Sequence, residues 1–464
     1  MANDLARWQF ATTSIYHFFF VPVTIGLAFL VAILQTAWYR TDDPEYKRMT
    51  RFFGTLLLIN VAIGVVTGLV QEFEFGMNWA TYSRFVGGVF GAPLAMEGLA
   101  AFFLESTFLG LWLFGWDRLP KRVHLGCIWA VSIGSMLSAM FILIANSWMQ
   151  HPVGYKLDKA GNAQLNNVWA LFVNPTFVWG YAHVILASLV TGCLVMLAVS
   201  AWYLRKRTHL EPFQRTAKIA LIVLIPTIVI QLSVGNQLGE IETRYQPAKI
   251  AAAEAQWNSC KPCSFSAAQL GGYSQSDQTT NKIILIPHLL SVLATGTWSG
   301  GVTGLNQIQA QDQKKYGPGN YIPNVAIQYW SMRTMAGLGA LIMVFALWGG
   351  WLLYRGKLHS SRLFLWLSVW AVVTPFLMNT AGWLLTESGR QPWIVQGLQK
   401  TVNANSPSVS ATEIWISLGA FVLAYIVLAA ADLGLMLRYS RRGLAHADAE
   451  AAAAPAASAP VLTY

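Results

Sequence analysis

Apolar runs dominate the chain, and polar stretches appear mainly where one run gives way to the next. Nine runs stand out: 15–38, 52–75, 94–116, 123–146, 178–204, 216–236, 326–353, 362–386 and 413–438. Each is long enough to carry a helix across a hydrocarbon layer ~30 Å thick. Backbone groups find no water inside such a layer, so each run is predicted to be helical and self-satisfied. The alternation over ~10 residues that a barrel strand needs is absent. The pattern therefore predicts an all-α polytopic membrane protein with nine transmembrane helices. Six helices occupy 1–236, a long polar loop fills 237–325, and three more occupy 326–440. The tail 441–464 is rich in Ala and Pro and is expected to be disordered and cytoplasmic. Segment 283–305 begins apolar but fills with Gly, Ser and Thr. A tenth span there would break the loop alternation, so it is expected to be a surface or re-entrant piece. The first run is too long for a signal peptide and lacks a basic leader, so it is expected to be retained as a span.

Composition agrees with this. Only 11% of residues are charged and 55% are hydrophobic, against about 25% charged in soluble domains. An ordinary water-soluble enzyme and a disordered chain are excluded. The net charge of +10 would suit a nucleic-acid binder, but its distribution says otherwise. Eighteen basic residues fall in alternate loops or ends, at 40–51, 118–122, 205–218, 355–362 and 438–442, while the short loops opposite hold six. The positive-inside rule then puts the N-terminus outside and the C-terminus in the cytoplasm. The basic excess is a topology signal, and no nucleic-acid partner is expected.

Ionisable and soft-ligand residues inside spans are costly and few. They are His17, Glu97, Glu105, His183, Arg333 and Met335, with Glu387 at the end of the eighth run. In the expected orientation His17, Glu97, His183, Met335 and Glu387 all fall near the outer face. Glu105 lies about 12 Å deeper than Glu97 along the same helix. Taken singly, each has a plain reading: a histidine bonded to a neighbouring helix, a packed methionine, a glutamate clamp, a snorkelling arginine. Together they suggest haem. His with Met is an axial pair for a low-spin iron, and His or Glu alone leaves a position open. Cys127 and Cys193 read as packing residues. Cys260 and Cys263 form C-K-P-C, followed by Ser264 rather than His, which excludes covalent haem attachment. On an oxidising face they are expected to form a disulfide.

Five stretches carry a resemblance: RWQFATTSIYHFFFVP (7–22), GAPLAMEGLAAFFLESTF (91–108), FGWDRL (114–119), NSWMQHP (146–152) and GWLLTESGRQPW (382–393). They resemble subunit I of cytochrome bd-type quinol oxidases, in its short-loop branch, over about residues 5–440. The resemblance implies a low-spin haem b held by His183 and Met335, with Arg333 offsetting a propionate. It implies a high-spin haem b and a haem d, or a further haem b in its place, served by His17, Glu387 and Glu97. Trp383 resembles a tryptophan between the haems. Glu105, Ser106 and Ser138 match residues of a cytoplasmic proton route. Lys249 and Glu254 match residues tied to quinol in the 237–325 loop.

The function so implied is quinol oxidation at the outer face of the bacterial plasma membrane, with oxygen reduced to water and a proton gradient built without pumping. The implied partners are subunit II, small single-helix accessory subunits, membrane quinol and oxygen. The alternative is a haem b electron carrier that oxidises quinol without reducing oxygen. A proton-coupled transporter using Glu97, Glu105 and Arg333 is a more distant rival.

Overall fold

The computed structural model describes residues 2–444. Among them are nine helices long and apolar enough to span a membrane. They are labelled α1 (Ala2–Thr41), α2 (Pro44–Met77), α3 (Ala80–Phe114), α4 (Lys121–Gln150), α5 (Pro175–Lys206), α6 (Leu210–Tyr245), α7 (Val325–Tyr354), α8 (Arg362–Gly389) and α9 (Ala411–Arg442). All but α3 and α8 extend beyond the apolar runs at both ends, because a helix continues through the interface once its core is nucleated. The starts are written locally. Asp43 accepts from the Glu45 amide at 2.9 Å with Pro44 following, Asn174 caps Pro175 onward in the same way, and Ser410 with Glu413 forms a capping box.

Two spans differ from simple helices. The sequence pattern places the third run at 94–116, but α3 begins at Ala80. Its first half is rich in Gly and small residues, which lowers its hydropathy without breaking the helix. Pro93 interrupts the hydrogen-bond ladder, and Glu97–Phe102 winds as a π-helix within the next turn. In α8, Arg362–Ala371 and Thr374–Gly389 are separate segments. Pro375 removes an amide and crowds the carbonyl four residues back, at Ala371.

α1 and α5 form the centre. Of the most apolar window in each helix, 67% is buried in α5 and 61% in α1, against 11% in α9. Gly26 and Gly192 let α1 and α5 approach backbone to backbone. A Cβ on Gly26 would lie 2.3 Å from the Ser188 carbonyl and 2.8 Å from Gly192 Cα. Backbone cannot yield there as a side chain can. Gly26→Ala is expected to destabilise the fold by about 3 kcal/mol, read as faster thermal loss of haem absorbance. A wild-type half-life would refute the contact.

Between α6 and α7 lies the long loop. It carries a short helix (Pro247–Ala253), a hairpin of strands Phe265–Leu270 and Asn281–Ile286, and helices Leu289–Thr295 and Leu305–Tyr316. Segment 283–305 is thus strand, short helix and turn, and does not span. Cys260 and Cys263 are joined by a disulfide beside the Val302 bridge. α9 runs through Arg442, so the first residues of 441–464 continue a helix. Residues 445–464 of that tail lie outside the described residues.

Candidate functional site

His17 sits on α1 facing α2. Thr67 Oγ1 lies 2.9 Å from His17 Nδ1 and gives its own proton to the Gly64 carbonyl at 2.9 Å. The hydroxyl therefore accepts from Nδ1–H, which leaves Nε2 with a lone pair to offer a metal. Gly68 underlies the ring: a Cβ there would be 3.1 Å from His17 Cε1.

A similar arrangement recurs at two other candidate ligands. His183 on α5 lies over Gly235 of α6, where a Cβ would be 3.2 Å from its Cε1. Gln231 Nε2 is 3.3 and 3.2 Å from the two ring nitrogens, so it points along neither lone pair, and its Oε1 has no partner. A narrow gap beside it is lined by Ala187, Ile228, Gln231, Met378 and Asn379. Met335 Sδ on α7 would meet a Cβ on Gly382 of α8 at 3.2 Å. The next residue of α8, Trp383, packs edge-on against Phe18, at 5.0 Å between ring centroids. It therefore stands between the Met335 turn and the His17 turn.

Glu387 ends a chain of hydrogen bonds that starts in the long loop. Lys249, 2% exposed, donates from Nζ to Glu242 Oε2 and to Gln150 Oε1, both at 2.7 Å. Gln150 donates to Asn146 Oδ1 at 2.8 Å, and Asn146 donates to Glu387 Oε1 at 2.7 Å. Arg390 closes the chain on Glu387 Oε2. Arg390 is only 4% exposed, yet its Nε and Nη1 have no partner. Burial pushes the Lys249 ammonium pKa down against the pull of Glu242.

Glu254 does not join that chain. Its carboxylate takes a two-pronged ion pair from Arg333, at 3.0 and 2.7 Å, and Arg333 also donates to the carbonyls of Ser266, at 2.6 Å, and Ala253. The guanidinium rests on Tyr329, 3.9 Å from the ring centroid. Burial raises the Glu254 pKa against the pull of Arg333. Arg333, read from sequence as a neighbour of a haem propionate, thus commits its forked face to the loop.

Ser138 on α4 donates to Glu97 Oε1 at 2.5 Å. Glu105 and Glu72 both lie within electrostatic reach of Glu97. Glu105 packs over Gly134, whose Cβ would meet its backbone nitrogen at 3.1 Å. Ser106 is not drawn into this group; it is exposed and bonds back to the Phe103 carbonyl at 3.4 Å.

A family model described as cytochrome bd terminal oxidase subunit I matches residues 5–444. The chain belongs to that family. It is 44% identical to the cytochrome bd ubiquinol oxidase subunit 1 of Bacillus subtilis (strain 168), covering 95% of this chain and 94% of that one. It is 36% identical to the cytochrome bd-II ubiquinol oxidase subunit 1 of Escherichia coli (strain K12), covering 95% and 96%. The solved bd oxidase of Geobacillus thermodenitrificans superposes with a TM-score of 0.86 at 30% identity, covering 95% and 99%. This bd oxidase subunit I is a multi-pass protein of the bacterial plasma membrane.

The family implies haem, and the residues present fit it. Three candidate ligands each lean over a glycine where any side chain would intrude, and a flat ring needs that room. The buried, half-unpartnered Arg390 offers donors of the kind an acidic ring substituent takes. Sequence reading missed Gln231, Glu242, Glu72, Asn146, Gln150 and Arg390 as site residues. The last three lay inside the stretches that carry the resemblance, so the signal was present. Gln231, Glu242 and Glu72 sit in polar turns at or near the ends of apolar runs, where such residues are ordinary.

Proposed function

We propose that this bd oxidase subunit oxidises membrane quinol at the outer face and reduces oxygen to water. Two quinols and one dioxygen give two quinones and two waters. The 18 basic residues on one set of loops and the C-terminal end support an N-terminus outside and a C-terminus in the cytoplasm. The observation that carries the reading is the hydrogen-bonded chain from Lys249 through Gln150 and Asn146 to Glu387. It ties the proposed quinol loop to a proposed ligand position, which neither a simple carrier nor a transporter needs.

His183 and Met335 would hold the low-spin haem b. His17, Glu387 and Glu97 would serve the high-spin haem b and the haem d, or a further haem b. Bound haem supplies one-electron chemistry and an open position for oxygen. The protein side of the work is proton handling. Glu254, held by Arg333, accepts a proton from a quinol hydroxyl; Lys249 orients the quinol oxygen. Glu105 and the Ser138–Glu97 pair hold protons taken from the cytoplasm for water formation. Release outside and uptake from inside charge the membrane without a pump. Trp383 spaces the haem positions. The relatives are named as subunit 1, so a subunit II is the expected partner, lying against the exposed apolar faces, with single-helix accessory subunits beside it.

A pyridine haemochrome, a reduced-minus-oxidised spectrum and oxygen uptake on added quinol test this reading on the purified complex. More than one haem per subunit, with quinol-dependent uptake, is expected. A lone low-spin b signal without uptake would establish the electron carrier instead.

A further inference from the structure

Three buried polar atoms without a hydrogen-bond partner fall together between α1, α2 and α9: the Tyr16 hydroxyl, Oε2 of Glu74 and Oδ1 of Asp432. Between them the Tyr425 hydroxyl and the Gln71 amide lie within hydrogen-bonding reach of one another. Glu74 is 0% exposed and Tyr425 5%. They form a file. Ser417 donates to Gln9 Oε1 at 3.1 Å, and Gln9 donates to Glu74 Oε1 at 2.8 Å. Glu74 lies within electrostatic reach of Tyr425. Tyr425 stacks on Tyr16 at 4.5 Å between centroids, and Asp432 lies within electrostatic reach of Tyr16. Ser417, Tyr425 and Asp432 are spaced by eight and seven residues, which keeps them on one face of α9 over about 22 Å.

This file is separate from the Glu97 group. Glu72 and Glu74 are about 200° apart around α2, so the helix turns Glu72 toward Glu97 and Glu74 toward α9. A simple polar clamp between helices would use its atoms on one another. Here the second oxygen of one carboxyl, an oxygen of another and the Tyr16 hydroxyl are left over in the membrane interior, and that is the chemistry of sites that bind water. The file also reaches the reaction side. Gln71, held by Ser14 at 2.7 Å, lies one turn along α2 from Thr67, the partner of His17.

We propose that α1, α2 and α9 enclose a hydrated proton file, Asp432–Tyr425–Glu74, that feeds the outer half of the membrane beside His17 independently of Glu97 and Glu105. A proton taken up by the Asp432 carboxylate is relayed through water and the Tyr425 hydroxyl, which accepts one proton as it donates another, and is held on Glu74. Nothing is oxidised or reduced in the relay. The proposal rests on the oxidase reading only for the reaction that consumes the protons.

Asp432→Asn, Tyr425→Phe and Glu74→Gln, each in the complete complex reconstituted in vesicles, test it. Haem content is measured first, then the rate of proton uptake during quinol turnover. Uptake is expected to fall on the order of tenfold in Asp432→Asn and Glu74→Gln at unchanged haem content, and Asp432→Glu is expected to restore it. Wild-type rates in all three, or failure of Asp432→Glu to exceed Asp432→Asn, overturn the file. Where a variant loses haem, infrared spectroscopy of the wild-type complex decides. The carboxyl bands of Asp432 and Glu74, assigned by isotope labelling, are expected to shift on transfer to D2O within minutes. Bands that stay unexchanged mean a dry clamp. That measurement needs no turnover, so it stands apart from any failure of the oxidase reading.

Discussion

His183→Ala, or Met335→Leu, is expected to abolish the low-spin haem signal in the reduced-minus-oxidised spectrum while leaving the high-spin signals. The two residues stand on different helices, α5 and α7, and each overhangs a glycine of a neighbouring helix, Gly235 of α6 or Gly382 of α8. Neither packs as an ordinary core residue would. His183 has Gln231 beside both ring nitrogens and no in-line partner, so removing the imidazole breaks no strong internal hydrogen bond. Its loss leaves a cavity, at a cost of about 2–4 kcal/mol, and leaves the Gln231 amide without its ring-nitrogen partners, a cost the fold should tolerate. Met335→Leu keeps the volume and deletes only the sulfur. A low-spin band of normal size in both variants refutes the pair. Met332→Leu is the control: it lies three residues earlier on the same face of α7, and its spectrum should stay unchanged.

The fold was legible in the sequence because lipid imposes one rule on every span. Nine apolar runs became nine helices among the described residues, and the Gly- and Ser-rich segment 283–305 formed no spanning helix. What was hidden lay in residues whose apolar signal is weak. The first half of α3 spends its length on Gly and small side chains, so hydropathy placed its start late. The candidate ligands were visible as costly residues in spans, and the glycines that face them were not. A glycine in a membrane helix has many uses, and only the fold pairs Gly68 with His17 or Gly235 with His183. The same holds for Arg333. Two residues from Met335, it lies about 200° round the helix, and the structure turns it to Glu254. Sequence spacing holds the angle and does not hold the loop that returns to meet it. Ser138 and Ser106 were indistinguishable as span serines, yet one bonds Glu97 and the other its own helix.

Glu254→Ala is expected to depress quinol-driven oxygen uptake by about 100-fold, and uptake with an artificial donor by much less. Two effects must be separated. Deleting the carboxylate strands the Arg333 guanidinium, whose side chain is 11% exposed, and a buried charge left unpaired costs about 3–5 kcal/mol. That alone would loosen the loop, since Arg333 also holds the Ala253 and Ser266 carbonyls. Loss of turnover in Glu254→Ala therefore does not by itself identify a proton acceptor. The double variant Arg333→Met with Glu254→Met removes both charges, and replacing a buried ion pair by apolar side chains is often neutral or stabilising. Hydrogen exchange over 247–270 should then return toward wild type, while quinol turnover stays low because no carboxylate remains to take the proton. Recovery of turnover along with exchange protection would reduce Glu254 to a structural tie. Equal losses with quinol and with the artificial donor in the single variant would remove it from the quinol site altogether. Lys249 gives an independent check, because its partners Glu242 and Gln150 are different. Lys249→Met should raise the quinol KM with the Glu254–Arg333 pair intact, as expected of a residue that orients the quinol oxygen without taking its proton.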